Sequence, residues 1–125
     1  MQWHLKIADD GSRLTMAAWG VAEVEPFQDF LQKALEHPDF RPGMQVCLDL
    51  RRLDSGALTM NDVQRLADLH KPHAEALASV RIAVVVTRSL DYEAVRLWEA
   101  LVHEPHLAHD VFFSLEEAES WLQGG

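Results

Sequence analysis

The chain has 125 residues, 48% of them apolar and 25% charged. These are the proportions of one globular domain over residues 1–125, and they exclude a disordered tail or a membrane-embedded chain. Eleven Lys and Arg against 20 Asp and Glu give a net charge of −9 with His neutral, a field that repels nucleic acid and anionic membrane surfaces unless a local basic patch overcomes it.

Trp3, Leu5 and Ile7 alternate with Gln2, His4 and Lys6, and Asp9 to Ser12 supply turn chemistry before a second extended segment from Leu14 to Gly20; the pattern predicts an antiparallel hairpin. Over residues 26–37 the period changes: Phe27, Phe30, Leu31, Ala34 and Leu35 follow helical spacing, with Pro26 suited to the first turn and Pro38 beyond the end. After a loop at 39–43, Met44 to Leu50 reads as a strand, ending in a polar cluster of Asp49, Arg51, Arg52, Asp54 and Ser55. The lone Cys47 cannot close an internal disulfide and reads as a buried, inert thiol.

Thr59 and Asp62 form a capping-box pattern before a helix that starts near Met60 and carries Val63, Leu66, Ala67 and His70 on one face. Pro72 predicts a bend or restart around Lys71. Residues 81–87 form a continuous run rich in β-branched residues, as a parallel strand covered on both faces requires, and are expected to form the sheet centre. A helix over 90–103, a strand from His109 to Phe113 reached through Pro105, and a helix from Glu116 to Leu122 complete the chain. The order β-β-α-β-α-β-α-β-α predicts an α/β fold: a mostly parallel five-stranded sheet with an N-terminal antiparallel hairpin at one edge and four helices distributed over both faces.

Phe40-Arg41-Pro42-Gly43-Met44 leading into Leu48-Asp49-Leu50, then Asp62-Val63, Arg65-Leu66-Ala67, Pro72-His73-Ala74-Glu75, the strand from Arg81 to Val86 and the ending Glu117-Ala118 to Trp121-Leu122 resemble the bacterial STAS-like family. That family is related to anti-sigma-factor antagonists and is likened to CRAL-TRIO lipid-transfer domains. The resemblance covers nearly the whole chain and rests on fold-bearing positions, so it implies architecture more than chemistry. In anti-sigma-factor antagonists a Leu-Asp-Leu strand precedes an Asp-Ser-Ser-Gly turn whose second serine is phosphorylated at a helix start. Asp54-Ser55-Gly56 is similar to that turn but follows Asp49 sooner, and the helix start falls nearer Thr59. The resemblance thus points to Ser55 or Thr59 as the phosphorylated position, whereas cap preference makes Thr59 an N-cap and Ser55 a loop residue.

Ligands of open parallel sheets bind beyond the carboxyl ends of the strands, which selects the loops Arg51 to Thr59 and Thr87 to Tyr92 as neighbours. They offer Arg51, Arg52 and Arg88, the hydroxyls of Ser55, Thr59, Ser89 and Tyr92, and two helix N-termini, an arrangement suited to an anion or phosphopeptide. The alternative is that the arginines pair with Asp49, Asp54 and Asp91. On the anion-binding reading Arg52→Ala and Arg88→Ala should leave stability nearly unchanged while weakening an anionic partner, and large stability losses would show the residues to be structural. On the third long helix Leu90, Ala94, Leu97 and Leu101 form one stripe and Val95, Trp98 and Val102 a second. Apolar residues cover more of this helix than one sheet contact needs, and the surplus around Trp98 would meet a second subunit, a partner, a lipid-like ligand, or Trp121 of the last helix.

His70 with His73, and His103 with His106 and His109, are spaced three apart, but Pro72 and Pro105 interrupt both sets, so no metal and no other cofactor is expected. There is no glycine-rich phosphate loop, nucleophile elbow or histidine-glutamate metalloprotease motif. The sequence therefore reads as a non-enzymatic regulatory or protein-interaction module that self-associates. The alternative is a carrier or sensor of a small amphiphile, with Arg88 or Arg51 holding an anionic head. Neither reading involves nucleic acid or stable membrane insertion. With no basic segment followed by an apolar one and no apolar run of about 20 residues, a cytoplasmic location is expected.

Overall fold

In a computed structural model that describes residues 1–104 and 107–124, the chain runs β1 (Gln2–Ile7), β2 (Arg13–Val21), α1 (Val24–Glu36), β3 (Gln45–Asp54), α2 (Met60–His70), α3 (Ala74–Leu77), β4 (Arg81–Val85), α4 (Ser89–Val102), β5 (Ala108–Phe112) and α5 (Leu115–Leu122). The sheet order is β1-β2-β3-β4-β5. β1 and β2 pair antiparallel and every later pair is parallel. This is the α/β sheet expected, with the hairpin at one edge. Gly11, at φ +73, makes the hairpin turn that a side chain would strain.

Pro26 falls in the first turn of α1, where its missing N–H has no intrahelical partner in any case. The capping box of α2 is complete: Thr59 Oγ1 accepts from the Asp62 N–H at 3.1 Å, and Asp62 Oδ2 accepts from the Thr59 N–H at 2.9 Å. Pro72 ends α2 through a tight helical turn over Lys71–His73 that restarts as the single turn of α3. Pro105 and His106, which belong to the expected last connection and to the second histidine set, lie outside the described residues.

The sheet differs from expectation in three respects. First, β3 continues to Asp54, so Arg51 and Arg52 stand on a strand and not in a loop. The register with β2 explains why: Ala17 faces Asp49 while Trp19 faces Arg52, so two residues of β3 oppose one of β2. This bulge carries the polar pair past the pairing and returns Leu53 to the core. Second, the middle strand is β3, and the apolar run of β4 lies one place further along. Third, the helices are unequally divided. α1, α2 and α4 pack side by side over one face, enclosing Leu14, Met16, Val46, Ile82 and Val84, whereas α5 alone covers Cys47, Ala83 and Val85 on the other. Each parallel connection steps to the next strand in the same direction, and right-handed crossovers that all step one way stack their helices on one side. The reverse face of β1 and β2, with His4, Lys6, Thr15 and Trp19, has no helix of its own, as an antiparallel edge permits.

Candidate functional site

The carboxyl ends of β3 and β4 bring the two selected loops together. Val86 to Arg88 leave the sheet beside Asp54 to Gly56, and Thr87 Oγ1 donates to the Arg51 carbonyl at 3.0 Å. At the centre is Asp91, in the first turn of α4 and 4% exposed. Its Oδ1 accepts from the Ser55 hydroxyl, and from the Ser55 N–H at 3.2 Å. Arg88 donates to both carboxylate oxygens, Nε to Oδ2 at 2.8 Å and Nη2 to Oδ1 at 2.9 Å. Nη2 also reaches Asp54 Oδ1 at 2.9 Å, and that oxygen accepts the Gly56 N–H at 2.8 Å. Burial pushes the Asp91 carboxyl up, but the Arg88 guanidinium and the two Ser55 donors outweigh it and hold the group below the usual carboxylate range. Asp54 is lowered by the Gly56 N–H and by Arg88.

Arg88, read from sequence either as an anion clamp or as a partner of the loop aspartates, is bound on both sides by Asp54 and Asp91, as the second reading has it. Arg51 is likewise closed on Asp49, at 2.9 Å and 2.8 Å, and Arg52 lies over the Trp19 ring at 5.9 Å. Both lie on the side of the sheet away from α1, α2 and α4, each with its own partner, so the three arginines are not offered together to one anion. Ser55 joins the Asp91 network, Thr59 caps α2, and Ser89 opens α4 as an exposed residue. Tyr92 stacks on Phe113 with ring centres 5.2 Å apart, and its hydroxyl accepts from Arg96 Nε at 3.0 Å.

A second feature of this pole is apolar. Among the described residues the large apolar side chains left more than half exposed are Val21, Met60, Leu90 and Phe113. Val21 ends β2, Met60 opens the helix after β3, Leu90 sits in the first turn after β4, and Phe113 follows β5. All four occupy the carboxyl-end side of the sheet. Sequence reasoning missed the group because each residue belongs to a different element, Leu90 having been assigned to the helix stripe and Phe113 to the last strand.

Beneath the pole a cavity of about 190 Å³ separates the sheet from α1, α2 and α4. Its wall is almost wholly Leu, Val, Phe and Ala, and Ser55 and Asp91 contribute to it. Trp98 also lines it, half-buried, with its ring edge-on to His70 at 5.9 Å and to His109 at 5.6 Å. Trp98 thus faces inward between α2 and β5. Trp121, considered as its cover, packs instead on Phe112 and under the Arg81 guanidinium on the opposite face. His70 is 5% exposed, and its Nε2 is buried with no hydrogen-bond partner among the described residues. Burial lowers its pKa from the usual value, with His109 and His73 adding to the shift and Glu104 opposing it.

The Cys47 thiol, 2% exposed, is pushed up to about 11 by burial and by the neighbouring Asp49 charge, so it is a poor nucleophile. Among the described residues no three His, Cys, Asp or Glu side chains converge in a metal-holding group, and no helix is long and apolar enough to cross a membrane.

No family model and no curated protein matches the chain. Among solved structures it is similar to the crystal structure of an uncharacterised protein of the DUF3478 family from Shewanella loihica PV-4, described as having a SpoIIAA-like fold. The TM-score is 0.63 at 19% identity, over 97% of this chain and 92% of the other. Identity at this level carries the fold alone. The STAS-like resemblance is thus upheld in architecture: a mixed five-stranded sheet with the SpoIIAA-like arrangement of strands and helices.

Proposed function

We propose that the chain is a non-enzymatic regulatory module of the STAS-like type that recognises a protein partner through the carboxyl-end pole of its sheet. The observation that carries this reading is that Val21, Met60, Leu90 and Phe113, the exposed large apolar side chains among the described residues, all lie on the carboxyl-end side of the sheet. Apolar anchors grouped within a polar rim are what a protein interface uses for affinity. Arg88 and Asp54, paired and about half exposed on the same side, add a polar element whose charges are largely matched. A nucleophilic role for Ser55 is disfavoured, because the carboxylate that accepts its proton is held ionised by Arg88 and is a weak base. The net charge of −9 argues against nucleic acid as the partner.

The reading is tested by affinity capture from cells of the source organism with the wild-type chain and with a Leu90→Asp, Phe113→Ser double variant. The variant should lose about tenfold or more of the proteins that the wild type enriches, with its melting temperature within a few degrees of wild type. Equal capture by both chains would place the interface elsewhere.

The cavity favours a second reading, the binding of a small apolar or amphiphilic molecule between sheet and helices. At about 190 Å³ it exceeds the roughly 150 Å³ of a dry apolar cavity that accepts benzene. Ser55 and Asp91 belong both to its wall and to the surface network, so an occupant would be felt at the pole.

A further inference from the structure

We infer that the cavity under α1, α2 and α4 takes a compact, uncharged apolar molecule bearing one hydrogen-bonding group, and that His70 Nε2 receives that group. The inference rests on the reading of the cavity as a ligand site and adds the chemistry of the ligand. Two observations lead to it.

The first is that His70 is an exception within the cavity wall. Apart from Trp98, the polar residues lining it are Ser55, His70 and Asp91. Ser55 and Asp91 satisfy one another with the help of Arg88. His70 stands at the other end of α2, about 15 Å along the helix axis from its start, and its Nε2 has no partner among the described residues. A buried ring nitrogen without a partner forfeits a hydrogen bond that water would have supplied, and the deficit ends when a ligand brings a hydroxyl or N–H to it. A neutral imidazole nitrogen either donates or accepts, so a hydroxyl suits either tautomer.

The second is the absence of a cation. No lysine or arginine is among the residues lining the cavity. Arg88 turns to Asp54 and Asp91, and Arg51 to Asp49 on the reverse side of the sheet. A carboxylate or phosphate inside would have no opposite charge and would share the cavity with the Asp91 carboxylate, a double penalty in an apolar medium. This revises the amphiphile drawn from sequence, in which Arg88 or Arg51 held an anionic head: the polar group is neutral and belongs at the His70 end.

Three probes of one shape decide the matter by calorimetric titration of the full chain: ethylbenzene, para-ethylphenol and para-ethylbenzoate. Para-ethylphenol should bind about five- to tenfold tighter than ethylbenzene, the worth of one buried hydrogen bond, and para-ethylbenzoate should bind weakest. In His70→Phe the preference for the phenol over ethylbenzene should vanish while ethylbenzene still binds. Should that variant not fold, the wild-type His70 Nε2 chemical shift is followed by nitrogen NMR, and it should move with the phenol and not with ethylbenzene. Binding of none of the three probes would remove the cavity reading itself. Equal binding of ethylbenzene and the phenol would leave the cavity as a site but overturn the role of His70, and tightest binding of the benzoate would overturn the neutral ligand.

Discussion

Arg88 and Arg52 look alike in the sequence, two cations near strand ends, yet their removal should have different consequences. Arg52 rests on the Trp19 ring at the surface, a contact worth about 0.5 kcal/mol or slightly more. Arg88 holds Asp91, which is 4% exposed, through two hydrogen bonds. Without Arg88 that carboxylate keeps its burial but loses its only counter-ion among the residues that bond it. Because the guanidinium itself is about half exposed, solvent screens part of the loss, and Arg88→Ala should lower the urea midpoint clearly below that of Arg52→Ala. Urea unfolding of the two variants at neutral pH checks this: Arg52→Ala should stay within about 0.5 kcal/mol of wild type, and equal midpoints for both variants would contradict the geometry. The geometry therefore replaces the sequence expectation of near-neutrality with an expected loss for Arg88, and keeps it for Arg52. Asp54 and Asp91 could be named as partners from sequence, but the burial of Asp91 could not, because it depends on how closely the β3–α2 loop folds over the start of α4.

At the scale of elements, local chemistry was legible and strand order was not. The cap of α2 is written in four consecutive residues, Thr59 to Asp62, and the structure contains it as a full capping box. Thr59→Ala removes the acceptor of the Asp62 N–H and should cost about 1 kcal/mol, whereas Thr59→Ser keeps it and should stay within a few tenths. Denaturant midpoints at unchanged slope measure both; equal loss in the two would mean that packing of the Thr59 methyl, and not the cap, matters. The bulge in β3 left a weaker mark. Leu50 and Leu53 are three apart, a spacing that breaks strand alternation and reads as the end of a strand unless the register with β2 is known. The one-sided stacking of α1, α2 and α4 left no local mark at all. It follows from the order β1-β2-β3-β4-β5, and strand order is set by which hydrophobic faces meet, a long-range choice. The same limit hid the apolar pole, whose four members fall on one side of the sheet only once the strands are ordered.

The whole molecule is lopsided, and that asymmetry makes the last prediction sharp. The larger core lies between the sheet and three helices, and it also holds the cavity. The smaller one is the patch under α5, where Val85 is fully buried against Ala118 and Leu122 beside Cys47 and Ala83. Thr15 is on the same side of the sheet as Cys47, its register partner across β2 and β3, but lies toward the edge beyond α5 and is only partly buried, with Lys6 facing it from β1. An aspartate introduced at Val85 would be an unpaired charge in a dry layer, and Val85→Asp should abolish folding, since the loss of about 5 kcal/mol or more is comparable with the whole stability of a domain this size. On the same face, Thr15→Asp would be wetted and opposed by a lysine, and should change stability by less than about 1 kcal/mol. Circular dichroism melts of the pair read the coverage of this face directly. A folded Val85→Asp chain would mean that α5 does not seal β4, and an unfolded Thr15→Asp chain would mean that something covers the edge strands as well.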